Sequence, residues 1–158
     1  MVEDDTEVAP GFFALTSIPD TEPRVYVERK IMVREGDKLV PDKFRHELAL
    51  VVKESDGISV LTGHGHLGVL NMVQAAKAKW PDEPIKAVIG GFQAVSNPIN
   101  KGMAGSPASI ERMARRLKEL GCQRVFSGHC TGKKATAILK QVLRDDHDDP
   151  ATGKVFDV

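Results

Sequence analysis

The chain is poor in cysteine, in net charge of either sign and in long apolar runs, and each scarcity excludes a class of protein. Only two cysteines occur, Cys122 and Cys130. They bracket Val125-Phe126, which reads as a strand. Eight extended residues place them about 25 Å apart at ~3.3 Å per residue, beyond the ~7 Å reach of a disulfide. A disulfide scaffold is excluded, and two unpaired thiols lead to the expectation of a reducing compartment, the cytoplasm. Lys+Arg and Asp+Glu number 22 each, so the formal net charge is zero. A protein that gripped nucleic-acid phosphates would be basic, so no nucleic-acid partner is expected. The longest apolar run, Leu48–Val52, is five residues, too short for a membrane-spanning helix. Met1-Val2-Glu3-Asp4-Asp5 is acidic and reads as no signal peptide. No internal repeat, low-complexity tract, collagen period or coiled-coil heptad is present.

What is there suits one domain. The chain has 158 residues, 41% hydrophobic and 28% charged. A domain near this size buries roughly 68–70% of its unfolded surface. The expected division is a single domain over 1–158, with a core over 7–147 and a tail over 148–158. The first half reads as β: Phe12–Leu15 after a Pro-Gly turn, Val25–Val27, Ile31–Val33, then Glu47–Lys53 and Ile58–Leu61 flanking the Ser55-Asp56-Gly57 turn. The second half alternates. A helix over about 67–79 ends before Pro81, the strand Ile85–Ile89 follows, and a Gly, Ser, Asn and Pro-bearing loop spans Ala94–Gly105. Ser106-Pro107 is an N-cap with Pro at the first helical position, and Ile110, Met113, Ala114, Leu117 and Leu120 form an apolar stripe closed by Gly121. The strand Arg124–Phe126 leads to a last helix over about 133–144. Asp145–Pro150 reads as a loose acidic tail, and Val155-Phe156 as a short edge strand. The fold class is α/β: N-terminal strands and a hairpin, then βαβαβα with parallel neighbours.

Unusual residues stand at all three strand-to-helix junctions: His64 and His66, then Gln93, then His129 with Cys130. In parallel α/β sheets the carboxyl ends of strands share one edge, where ligands bind. Three of the five histidines therefore converge there. The i, i+2 spacing of His64 and His66 turns both imidazoles to one side, and a third histidine from another strand would give three nitrogens and an open position, as in a catalytic zinc site. His46 and His147 are read as ordinary satisfied polar residues, and Cys130 as a small buried one. Lys133-Lys134 stand at a helix start where a phosphate could sit, or form a solvated face.

Four segments carry a resemblance: Asp42–Leu50, Leu61-Thr62-Gly63-His64-Gly65-His66-Leu67-Gly68, Ala87-Val88-Ile89-Gly90-Gly91-Phe92 and Gly128-His129-Cys130-Thr131-Gly132. In this order the chain resembles the metallo-β-lactamase superfamily over roughly residues 8–145. The branch it looks like is that of the dihydropterin/ribofuranosylaminobenzene 5'-phosphate synthase-like metal-dependent hydrolases. The resemblance implies the C-terminal half of an αβ/βα sandwich with metal ligands at His64, His66 and His129. Gln93, Cys130 and Thr131 are implied as supporting or ligand-binding residues. His64 stands where that branch has Cys, and Gln93 where it has His. The family's His-x-His-x-Asp-His motif, which supplies most metal ligands, has no counterpart here.

Two functions follow as expectations. The first is a truncated half-domain with its own start methionine, obligately dimeric through an exposed sheet face or paired with a separate front-half chain. It would keep at most a residual metal site and no catalysis alone. The second is a hydrolase using a metal-bound hydroxide, active as such an assembly, with Asp42 and Glu47 as nearest general-base candidates or structural residues. The implied metal is divalent, zinc first, with manganese or iron as alternatives. No catalytic residue is assigned.

Overall fold

A computed structural model describes residues 3–97 and 102–158; the start Met1-Val2 and part of the predicted Ala94–Gly105 loop lie outside the described residues. Seven strands form one mixed sheet: β1 (Thr6–Ala9), β2 (Phe12–Leu15), β5 (Ala49–Glu54), β6 (Gly57–Thr62), β7 (Ile85–Gly91), β10 (Cys122–Gly128) and β11 (His147–Asp148), adjacent in that order. β1, β2, β5 and β6 are antiparallel neighbours; β6, β7, β10 and β11 are parallel. Two small ribbons stand apart, β3 (Met32–Glu35) with β4 (Lys38–Pro41), and β8 (Val95–Asn97) with β9 (Gly102–Met103).

The parallel strands are joined by α1 (Val69–Lys79), α2 (Pro107–Glu119) and α3 (Gly132–Leu143). Each crossover joins neighbouring strands in one direction along the sheet, so right-handed connections put all three helices on one face. Their packing agrees, with α1 on α2 and α2 on α3. Ser106 caps α2 as read: its hydroxyl accepts from Ser109 N–H while the Ser109 hydroxyl accepts from Ser106 N–H. Beneath the helices lie Ala49, Val51, Ile58, Val60, Val88 and Val125, all fully buried.

Strand alternation sends the intervening residues to the opposite face. There Ala14, Leu50, Leu61, Ile89 and Phe126 pair in register across β2, β5, β6, β7 and β10. Among the described residues no helix covers this apolar row. Leu50, Leu61 and Ile89 are half-buried. Phe126 is fully buried because the C-terminal segment folds over it, with the Phe156 ring at 4.2 Å.

Several sequence expectations are corrected. Val25–Val27 is irregular rather than a strand, and Ile31–Val33 slides to β3 because its partner is the ribbon strand β4. Asp145–Pro150 is not loose. Arg144–Asp146 makes a 3₁₀ turn and His147–Asp148 adds β11, where the buried imidazole Nε2 lies 2.7 Å from the Ser127 hydroxyl. Val155-Phe156 forms no edge strand; Phe156 serves as a lid on Phe126 instead. Both cysteines are free and buried, and burial pushes the Cys122 thiol up to about 12.

Candidate functional site

The carboxyl ends of β6, β7 and β10 open into a groove of about 750 Å³, lined by His64, His66, Gln93, His129, Cys130 and Lys134 among others. The three junction loops interlock through backbone groups. Gly91 N–H donates to Gly63 O at 3.1 Å and Gln93 N–H to His64 O at 3.1 Å. The Cys130 thiol bridges the other two loops, donating to His64 O at 3.0 Å and accepting from Gln93 N–H at 3.3 Å. The Thr131 hydroxyl accepts from Phe92 N–H at 3.3 Å. Cys130 and Thr131 thus tie loops together. Gly91 permits the close approach: a Cβ there would lie 2.6 Å from Cys130 Sγ and 2.7 Å from Gly63 O.

The sequence-predicted imidazoles meet. The His64 and His66 rings are 4.5 Å apart at 21°, and His64 and His129 are 5.2 Å apart, edge to face. Phe44, which lies in the Asp42–Leu50 segment but received no role from the sequence, stacks on His66 at 3.9 Å and 5°. Its only sequence signal was a place beside Asp42, whose carboxylate accepts from Phe44 N–H at 2.6 Å and closes the turn. Glu47 is anchored rather than catalytic in its contacts: its carboxylate accepts from the N–H groups of Gly65, His66 and Leu67 at 2.6–2.9 Å. That holds the loop carrying both histidines at the start of α1. His46 lies outside the ring cluster, 6.1 Å from Phe44 on its other side.

Burial pushes the His64 and His66 pKa values down, so both rings favour the neutral form. Neighbouring His66 and His129 add to the effect on His64, while Glu47 opposes it at both. Burial raises the Cys130 thiol, against hydrogen bonds that favour the thiolate. On the residues lining the groove, two buried atoms find no hydrogen-bond partner among the described residues: His66 Nδ1 and Gln93 Oε1. Gln93 is 4% exposed, with a left-handed backbone, φ 46.

Neutral imidazoles and an unpartnered buried nitrogen are donors that fit a divalent ion. The geometry is unfinished. Among the described residues no three His, Cys, Asp or Glu side chains form a group that could hold one, and Glu47 is committed to backbone. The imidazoles thus bring donor atoms to one groove without an arrangement of three that could hold an ion among the described residues.

An open mixed sheet, three helices on one face and histidines at the strand ends define the class: the fold is that of metallo-β-lactamase superfamily hydrolases, as the four motifs implied. Two particular resemblances stand out. The chain is 28% identical over 157 residues to the 7,8-dihydropterin-6-methyl-4-(beta-D-ribofuranosyl)-aminobenzene-5'-phosphate synthase of Methanocaldococcus jannaschii, matching 97% of this chain and 50% of that protein. The crystal structure of Tm1679, a metal-dependent hydrolase of the beta-lactamase superfamily, matches at TM-score 0.81 and 27% identity, over 100% of this chain and 57% of its own. This chain spans about half the length of each. No family model matches it. No described helix is long and apolar enough to cross a membrane.

Proposed function

We propose that this chain is the back portion of an αβ/βα sandwich, that its open sheet face seats a second copy of itself, and that its histidine groove keeps a residual divalent-metal site without catalysis by the chain alone. The observation that carries the reading is the apolar row Ala14–Leu50–Leu61–Ile89–Phe126, paired across five strands with no helix over it among the described residues. In the sandwich that the resemblance implies, this face meets a second sheet. A second copy is the simplest partner because twofold pairing is the commonest assembly, and a separate front-half chain is the other. Among the described residues no carboxylate joins the imidazoles, which argues against full activity by this chain alone. His64, His66 and His129 are the donors that would hold the metal, and their rings would have to turn to do so, because they form no such group as they stand. When bound, a divalent ion lowers the pKa of its water and supplies a nucleophile near neutral pH. The chain's own part is to present neutral imidazoles on a loop fixed by Glu47, beside the rigid Phe44 ring. Zinc is the first choice, with manganese or iron as alternatives, in a cytoplasmic setting.

The second reading, a working metal-dependent hydrolase as the assembled dimer or with a front-half chain, is favoured by the likeness along almost the whole chain to such an enzyme. Sedimentation equilibrium with zinc titration tests both. A particle of twice the 17.2 kDa chain mass is expected, with zinc uptake weakened in His66→Ala and His129→Ala. A monomer at all concentrations that recruits no second chain defeats the assembly. Stoichiometric zinc with phosphodiester or lactone hydrolysis would favour the second reading.

A further inference from the structure

The open sheet face already has an occupant at one end. β11 stops at Asp148, and the chain runs on without a further strand or helix among the described residues. It passes over the end of β10. Pro150 lies against Gly128, where a Cβ would meet the proline ring at 2.9 Å, and the Phe156 ring lies 4.2 Å from that of Phe126. Gly128 and Phe126 are two residues apart on one strand, so both belong to the open face. Phe126 ends the apolar row and stands in register with Ile89.

The hold on this segment is slight. From Pro150 onward one backbone hydrogen bond is found among the described residues, Lys154 N–H to Ala151 O at 3.0 Å, and it is internal to the segment. Two ion pairs tether it, Lys140 with Asp149 and Lys154 with Asp148, and all four side chains are exposed. Exposed ion pairs contribute little to a fold. Residues 151–155 are exposed, so the main apolar side chain that this position shelters is Phe156, itself half-buried.

That slight hold sits where a partner must go. Neighbouring strands are about 4.8 Å apart, so whatever covers the half-buried Leu61 and Ile89 arrives within one strand spacing of Phe126. Phe126 is fully buried beneath Phe156 and Arg124, whose guanidinium lies 5.1 Å from the ring centre. A partner reaches the ring only by moving one of them, and the weakly tethered Phe156 is the one free to leave.

We propose that residues 149–158 are an autoinhibitory strap: Phe156 caps Phe126 in the free chain and must lift away before a second copy seats on the whole row. This rests on the open-face reading above and adds its regulation. A chain whose binding-competent form is a minor fraction binds more weakly by that fraction, so loosening the strap tightens self-association.

The test is sedimentation velocity of the full chain over a concentration series. Phe156→Ala is expected to lower the dimer dissociation constant by about tenfold or more. Lys154→Ala removes the tether to Asp148 and the cation 4.9 Å over the Phe156 ring, and is expected to lower it by about twofold. Val155→Ala, at an exposed position on the same strap, should leave it unchanged. Adding Leu61→Lys to Phe156→Ala should abolish the gain; a gain that persists is association elsewhere and overturns the proposal. Circular dichroism checks that each variant keeps its fold, and Lys154→Ala decides where Phe156→Ala does not. A wild-type dimer whose dissociation constant is unchanged or raised in the deciding variant overturns the strap and spares the assembly. A monomeric wild type with a dimeric Phe156→Ala supports both, and monomers throughout overturn both.

Discussion

At the scale of single residues, the histidine edge depends on side chains that are absent as much as on those present. Gly91 has room for no Cβ, because Cys130 Sγ and Gly63 O would lie at 2.6 and 2.7 Å, and the latter is backbone that cannot swing aside. Gly63, on the same pair of loops, has open space and an ordinary backbone. Gly91→Ala is therefore expected to lower stability by about 1–3 kcal/mol, and Gly63→Ala by no more than about 0.5, measured by urea denaturation. His147 makes a separate prediction. Burial pushes its pKa down from 6.5; Asp148 and Asp149 pull it back up and Lys140 reinforces the fall. The unfolded chain thus takes the proton first as pH drops. The linked stability is full above about pH 6.5 and is lost as pH falls from there toward the depressed folded value. His64 and His66 shift in the same direction, so the measurement is a difference. Subtracting the stability–pH curve of His147→Gln from that of the wild type should leave a decline confined to the region below about pH 6.5. A flat difference would mean that His147 is not held neutral by the fold.

At the scale of elements, α2 shows how much local chemistry was legible. Ser106-Pro107 and the apolar stripe marked its start and its buried face, and the reciprocal Ser106–Ser109 bonds are the physical form of that signal. Ser106→Ala is expected to cost about 1 kcal/mol, read as a lowered denaturation midpoint at unchanged slope. The convergence of His64, His66 and His129 was legible for the same kind of reason: three βα junctions in a parallel sheet must end at one edge. What stayed hidden depends on contacts distant in sequence. Phe44 reaches His66 across an irregular excursion, and no local period marks a ring that will stack on another loop. Glu47 was legible as a motif residue, but its service to Gly65, His66 and Leu67 N–H groups needed the fold. Glu47→Ala strands three partly buried donors, so a loss of about 2–3 kcal/mol is expected, with the His64–His66 loop loosened in amide exchange. The β11 pairing was missed because its two residues, His147 and Asp148, carry no strand propensity; the neighbour β10 and the Ser127–His147 bond place them.

At the scale of the whole molecule, the governing fact is an asymmetry between the two faces of one sheet. The helix side is saturated: Ala49, Val51, Val60, Val88 and Val125 are fully buried. The opposite side holds a row of equally apolar residues whose middle members, Leu50, Leu61 and Ile89, are only half-buried. The C-terminal segment relieves one end of that row through Phe156 on Phe126 and Pro150 against Gly128, where a Cβ would meet the proline ring at 2.9 Å. It leaves the centre bare. This face is the one on which the proposed second copy would sit. Because the two faces alternate residue by residue, the open face can be altered without touching the helix-side core. Leu61→Lys and Ile89→Lys are therefore expected to keep the wild-type far-ultraviolet spectrum while turning the proposed dimer into a monomer in sedimentation velocity. Val155→Lys, at a position 85% exposed outside this row, is the matched control and should leave the particle mass unchanged. Monomers from all three variants would point to general surface effects, and dimers from all three would place the interface elsewhere, on the exposed β3–β4 ribbon with its Met32, Val33 and Leu39.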